Sequence, residues 1–311
     1  MSRLGKQSGP SSKTLGVGLA AVGRPGYINL GRSVDLPAKR PVDAMRARTY
    51  EVLDAAYEVG IRYVDVARSY GRAEEFLAGW LFEQNVDDVF VASKWGYEYT
   101  ANWRVDADVH EVKRHDVEML DKQYAETRAT LGDRLRLYQV HSATLESGVL
   151  TNSSLHRRLA ALRIEGLEVG LTVSGAEQAT TIRQALDLRV DGEQLFTSVQ
   201  ATWNLLEPSS GAALAEAYDA GWRVVIKEAL ANGRLTDRGD AGAALGENSD
   251  VVALAAALAQ TWASVVLSGA ATADQVRSNA QALTVSAPND LPDMVESAET
   301  YWKKRSALPW T

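Results

Sequence analysis

Eight short apolar runs alternate with eight longer segments of helical period along this chain, and that alternation limits the fold more than any other feature. The runs lie at 15–19, 63–66, 89–93, 135–140, 167–173, 195–200, 223–226 and 264–267. Between and after them come helical patterns at 46–59, 74–82, 116–131, 155–164, 177–186, 212–220, 250–261 and 273–283. In the first of these, Tyr50, Leu53, Ala56 and Tyr57 share one face of a helix. Gly60, Gly166 and Gly221 stand just before strands, where a helix C-terminus favours glycine. Strands that alternate with helices build parallel sheets, and eight such units close into a (β/α)8 TIM barrel. No Pro-rich or low-complexity linker divides the chain, so residues 1–311 are expected to form a single barrel domain. Two segments stand outside the alternation: a long insertion after the third strand, 95–115, and a C-terminal tail, 288–311, with a helix expected at 294–304. Insertions that follow strand C-termini sit at the mouth of a barrel, where active sites lie.

Composition excludes several classes. Of 311 residues, 46% are hydrophobic and 23% charged, an ordinary globular balance. A net charge of −7 argues against a nucleic-acid footprint or a polybasic membrane surface. There is no cysteine, which removes thiolate nucleophiles, disulfide scaffolds and Cys-ligated zinc. Residues 1–13 are polar and lack a signal core, and the longest apolar run, 251–259, is half a bilayer span. These features predict a soluble cytoplasmic protein with no membrane partner. No feature specifies an oligomeric state.

Two motifs promise more than their context delivers. Gly16-Val-Gly18-Leu-Ala-Ala21, with Asp35 at the distance of a ribose contact, matches a dinucleotide-binding fingerprint. That fingerprint needs a helix after its strand, and Arg24-Pro25-Gly26 interrupts one, so the glycines are assigned to turns at the barrel floor or mouth. His110-Glu-Val-Lys-Arg-His115 looks like a zinc-protease motif. Five residues apart on a helix, the two rings would point about 140° away from each other, so the segment reads as a polar surface loop and no metal is expected.

A third constellation carries chemistry. Asp65 begins Asp65-Val-Ala-Arg-Ser-Tyr70-Gly71-Arg-Ala-Glu74, Lys94 closes Val-Ala-Ser-Lys94, and His141 closes Leu-Tyr-Gln-Val-His141. Each ionisable group stands at or beyond the end of an apolar strand, where a barrel gathers its catalytic groups. A tyrosine hydroxyl titrates near 10, and an adjacent ammonium is expected to lower that value. A carboxylate beside the lysine orients it, and a neutral histidine can hold an oxygen on which negative charge builds. Such a set suits protonation of a carbonyl oxygen during hydride delivery, and since no side chain supplies hydride, a nicotinamide cofactor is implied.

On these residues the sequence resembles the aldo-keto reductase family, from about Leu15 to Leu283. The resemblance implies NAD(P)H-dependent reduction of an aldehyde or ketone to an alcohol, with Tyr70 as general acid/base, Lys94 tuning it, Asp65 paired with Lys94 and His141 orienting the carbonyl. Leu-Thr-Val-Ser174-Gly175 and Ser198-Val-Gln200 resemble the segments that hold the carboxamide, through Ser174 and Gln200. Leu230-Ala-Asn-Gly233-Arg234 resembles the loop that covers the pyrophosphate. Ser268-Gly269 through Gln275 and Asn279 resemble the adenosine clamp. The resemblance implies NADPH, with NADH left open, and a small-molecule carbonyl or alcohol as substrate.

The chain departs from the family pattern at three places. Gly175 stands where an asparagine is usual, and Lys227 stands where an aromatic ring commonly stacks on the nicotinamide. Lys227 is expected to meet a cofactor phosphate or pair with Glu228. Gly269, Ala270 and Ala271 offer no basic residue for a 2′-phosphate, which leaves Arg234 and Arg277 as candidates. Trp95, Tyr97, Tyr99, Trp103, Trp302 and Trp310 either wall a substrate mouth or pack the insertion and tail onto the barrel. A catalytically silent cofactor-binding subunit and a barrel lyase using Lys94 as a Schiff base are the rival readings.

Overall fold

The computed structural model describes residues 14–288 and 290–311. The polar 1–13 stretch that carries the signal-peptide expectation lies outside them. Eight parallel strands close into a barrel in sequence order: β1 (Thr14–Gly18), β2 (Tyr63–Asp65), β3 (Phe90–Trp95), β4 (Leu135–Ala143), β5 (Glu168–Val173), β6 (Ser198–Thr202), β7 (Arg223–Lys227) and β8 (Val265–Ser268), the last pairing back onto β1. Helices α1 (Val42–Glu58), α2 (Ala73–Glu83), α3 (Val117–Leu131), α4 (Ser153–Ile164), α5 (Gln178–Leu186), α6 (Gly211–Asp219), α7 (Ser249–Ala259) and α8 (Ala273–Ala280) follow the strands in turn. Gly60, Gly166 and Gly221 adopt φ of 87°, 97° and 85°, the left-handed turns out of α1, α4 and α6.

The pleat of the strands decides what reaches the mouth. Tyr63, Ala92, Leu137, Val225, Val265 and Leu267 pack together as the apolar floor inside the barrel. Side chains two positions further along a strand fall on the same face. Two steps beyond Tyr63, Ala92 and Val225 come Asp65, Lys94 and Lys227, and four beyond Leu137 comes His141. The strands are apolar below and chemically equipped above. Gly16 belongs to that floor and not to a turn, which corrects the expectation for it. A Cβ there would lie 2.8 Å from Leu267 and 2.9 Å from Tyr63, so a glycine keeps β1 close to its neighbours.

Several boundaries differ from the sequence reading for local reasons. Helix α1 starts at Val42, not at 46, because Pro41 supplies its N-cap geometry. The tail helix, α9 (Ala298–Ser306), starts later than 294 because the Ser297 side chain accepts from the Thr300 backbone N–H and caps it. The 95–115 insertion is not featureless: Tyr97–Tyr99 and Glu111–Lys113 form an antiparallel pair. A second small pair, Arg189–Val190 with Glu193–Gln194, lies between α5 and β6. Both the insertion and the tail lie over the barrel mouth, where the backbones of Tyr27 and Thr311 exchange hydrogen bonds. Among the described residues, no helix is long and apolar enough to cross a membrane.

Candidate active site

Asp65, Lys94, Tyr70 and His141 meet at the C-terminal end of the barrel. Lys94 Nζ donates to Asp65 Oδ1, to the Val66 carbonyl at 3.0 Å and to Tyr70 Oη at 3.3 Å. Asp65 Oδ2 accepts from Gln200 Nε2 at 2.9 Å. Tyr70 is held by the turn after β2, with its ring set edge-on to His141 at 5.5 Å. Ser69 Oγ lies 3.4 Å from His141 Nδ1.

The electrostatics differ from the expectation in one respect. Burial, and then the Asp65 carboxylate, push the Tyr70 hydroxyl well above its usual range, so the nearby ammonium does not lower it on balance. The Lys94 charge is largely offset by its contact with Asp65, and a buried phenolate is costly. Arg24 is the counterweight. Its guanidinium lies 5.2 Å from the Tyr70 ring centre and favours the phenolate. Burial pushes His141 well below the usual imidazole range, and the Lys94 and Arg24 charges add to that, so the ring is neutral at physiological pH.

Of these groups Tyr70 and Asp65 line a cavity of about 550 Å³, with Lys94 and His141 set against the Tyr70 ring. Tyr70, Asp65, Gln200, Lys227, Leu230, Gly233, Gly269, Gln275 and Asn279 all line it. Asn279 Nδ2 donates to Ser268 Oγ at 2.8 Å, and Gln275 Oε1 accepts from the Ala271 backbone N–H at 2.8 Å. The long, partly polar cavity fits an extended dinucleotide, with amide side chains at both ends and bare glycine backbone between them.

Three sequence-derived candidates fall elsewhere. Ser174 stands at the end of β5, half-buried, but does not line the cavity. The Arg234 guanidinium is 6% exposed and turned into Glu296 and Asp240, which consume its donors. Arg277 pairs with Glu58 and Asp274 on the outer surface. Neither arginine faces the cavity; Arg238 does, and the sequence reading passed over it.

Lys227 is confined. Its ammonium donates to Thr202 Oγ1 at 3.0 Å, lies 3.9 Å from Glu228 and sits 5.6 Å from the Trp302 ring centre. Burial pulls its pKa down to about 8, against the opposing pull of Glu228. Burial alone would raise Glu228, yet the guanidinium of Arg305 and the Lys227 ammonium hold its carboxyl at about 2. Arg305 reaches Glu228 from α9 at 2.7 Å, so the tail is tied to the end of β7. Glu228 has a φ of 56°, an uncommon left-handed residue at a functional rim.

The aromatic residues of the insertion and tail divide between the two readings. Trp95 is fully buried and Trp103 packs on Phe76, so both fix the insertion to the barrel and do not wall the mouth. Tyr97 lies 4.9 Å from the His141 ring, beside the chemistry. Trp310 stacks on His110 at 4.0 Å, under the Arg24 guanidinium. His110 and His115 are therefore not a polar surface loop. His115 binds the His141 carbonyl at 2.9 Å, and burial drops its pKa to about 4.

The model described as "Aldo/keto reductase family" matches residues 38–266. Among solved structures, the chain resembles the holo form of aldo-keto reductase AKR11C1 from Bacillus halodurans, at 18% identity over 94% of this chain and 91% of that one, with a TM-score of 0.67. It also resembles the glycerol dehydrogenase AKR11B4 from Gluconobacter oxydans, at 18% identity over 98% and 93% of the two chains, with a TM-score of 0.66. Protein PA4992 of Pseudomonas aeruginosa is 23% identical over 86% and 90%, with a TM-score of 0.63. At these identities the structural likenesses speak for the fold. A search of curated protein sequences gives no match.

Proposed function

This chain belongs to the aldo/keto reductase family, and from that premise we propose that it reduces an aldehyde or ketone reversibly to the alcohol, with Tyr70 as the general acid/base. The observation that carries the reading is the Tyr70 hydroxyl at the inner end of the cavity, backed at 3.3 Å by the Lys94 ammonium. A reduced nicotinamide dinucleotide supplies the hydride when bound. Gln200 and Lys227 hold its nicotinamide half, Leu230 and Gly233 cover its pyrophosphate, and Gly269, Gln275 and Asn279 receive its adenosine.

The side chains then have distinct tasks. Tyr70 gives its proton to the carbonyl oxygen as negative charge builds there. Its raised pKa keeps it a protonated phenol beforehand. The Lys94 ammonium, fixed by Asp65 and the Val66 carbonyl, stabilises the phenolate as it forms, and Arg24 adds a second positive field. With Ser69 donating to Nδ1, His141 presents Nε2–H to the same carbonyl oxygen. Uncharged, it orients without competing as an acid. A Schiff-base role for Lys94 is disfavoured, because its ammonium hydrogens are committed to Asp65, Val66 and Tyr70. Lys227 contributes a charge to cofactor binding and takes no part in proton transfer.

Tyr70→Phe tests the assignment. The ring is kept and the proton is lost, so turnover of a generic aldehyde should fall by about 10²- to 10⁴-fold, while cofactor affinity, read by tryptophan fluorescence, stays nearly unchanged. Retention of more than about a tenth of wild-type turnover would remove Tyr70 from the acid role. A wild-type protein that binds cofactor and turns over no carbonyl would instead be the silent subunit.

A further inference from the structure

The end of the cavity farthest from Tyr70 is acidic. Asp35, from a single helical turn (Arg32–Asp35), enters it with one carboxylate oxygen shared by two donors. Arg238 Nη1 reaches Asp35 Oδ2 at 2.6 Å and Gln275 Nε2 reaches it at 2.8 Å. Asp237, Glu247, Asp250 and Asp274 line the same end. Among the described residues there, Arg238 is the one cation, and Asp35 already engages it. Ser278 Oγ, a further donor in reach, is taken by Asp250 at 3.1 Å. The two arginines that the sequence offered for a phosphate, Arg234 and Arg277, are held by Glu296 and Asp240, and by Glu58 and Asp274.

We propose that Asp35 is a specificity-determining residue that selects the unphosphorylated dinucleotide, NADH, over NADPH. The proposal rests on the reading of this cavity as a nicotinamide-dinucleotide site. A carboxylate accepts hydrogen bonds from the two hydroxyls of an adenosine ribose. A 2′-phosphate carries about −1.5 to −2 charge, and at this end it meets carboxylates of the same sign. Arg238 meets Asp35 through Nη1 alone, so a 2′-phosphate drawn to its remaining donors would still lie beside the Asp35 carboxylate and share a charge that Asp35 already neutralises. The acceptor chemistry that welcomes a diol is the chemistry that rejects the phosphate. The proposal thereby departs from the expectation of NADPH.

Equilibrium binding, which needs no turnover, tests this. Dissociation constants for NADH and NADPH, and for the fragments 5′-AMP and 2′,5′-ADP, are measured by tryptophan fluorescence or calorimetry. NADH should bind at least about tenfold more tightly than NADPH, a difference of about 1.4 kcal/mol, and 5′-AMP should outbind 2′,5′-ADP. Added salt should narrow both gaps, since the repulsion is screened. Asp35→Asn should close the gap chiefly by strengthening NADPH, with NADH weakened a few-fold. NADPH binding as tightly as NADH to the wild type, or a gap that Asp35→Asn leaves unchanged, would overturn the proposal. Binding of neither dinucleotide would instead bring down the cavity reading and the proposal with it.

Discussion

Lys227 stands 3.0 Å from Thr202 and 3.9 Å from Glu228, half-buried at the cavity wall with a pKa pulled down to about 8. Below that pH the ammonium is present before the cofactor arrives. Above it the protein must take up a proton to present the same charge, so cofactor affinity should fall as pH rises through about 8. Lys227→Met keeps most of the stem and removes the charge. Loss of one charge-assisted hydrogen bond costs about 1.5–3 kcal/mol, roughly tenfold to hundredfold in affinity, and the variant should also lose the pH dependence. Titration of binding between pH 6.5 and 9.5 checks both. Unchanged affinity with a collapsed saturated rate would place Lys227 in the chemical step. The four residues proposed for catalysis were legible because their residue types stand at strand ends. Their electrostatics were not: burial of Tyr70 and its neighbour Asp65 outweigh the ammonium, and no spacing reveals that. In the sequence Arg24 figures only in the helix-breaking Arg24-Pro25-Gly26, because its place beside Tyr70 depends on Trp310, at the far end of the chain, folding against it.

Glu74 shows how elements secure the site from behind. It lies on α2, 2% exposed, and accepts from Arg68 Nη1 at 2.7 Å, Ser93 Oγ at 2.5 Å and Thr127 Oγ1 at 2.9 Å. One carboxylate thus joins the β2–α2 loop, β3 and α3. Glu74→Ala leaves two buried hydroxyls without their acceptor, at about 1–3 kcal/mol of stability for each, while Arg68 keeps Glu126 at 3.0 Å. Glu74→Gln keeps the Oε1 acceptor and should cost less. Denaturant unfolding of both variants checks this, and a loss below about 1 kcal/mol for Glu74→Ala would contradict it. Strands and barrel helices were readable to within a few residues, because period and apolar runs are local signals. The Tyr97–Tyr99 and Glu111–Lys113 pair was not, since three-residue strands across the 100–110 segment carry no period. Nor was the commitment of Arg234 to Glu296, which depends on where the tail returns.

At the scale of the molecule, closure of β8 onto β1 brings residues from both ends of the chain to one mouth. Asp35, Tyr70, Lys227 and Gln275 come from four different loops or strands, and only a closed barrel places them around one cavity, with Lys94 and His141 set against Tyr70. The sequence announced that closure through its eightfold alternation. It also marked Asp35, though through a fingerprint whose helix the chain does not form. In the proposed reaction, hydride passes from a nicotinamide bound in this cavity to the carbonyl carbon while Tyr70 protonates the oxygen. The most direct test incubates the protein with an aldehyde and NADH or NADPH deuterated at C4, each face in turn, and analyses the alcohol by mass spectrometry. One deuterium on the carbinol carbon, from one face alone, with loss of the product in Tyr70→Phe, is the predicted result. Cofactor bound with no deuterium transferred to any aldehyde or ketone, or transfer undiminished in Tyr70→Phe, would contradict the account.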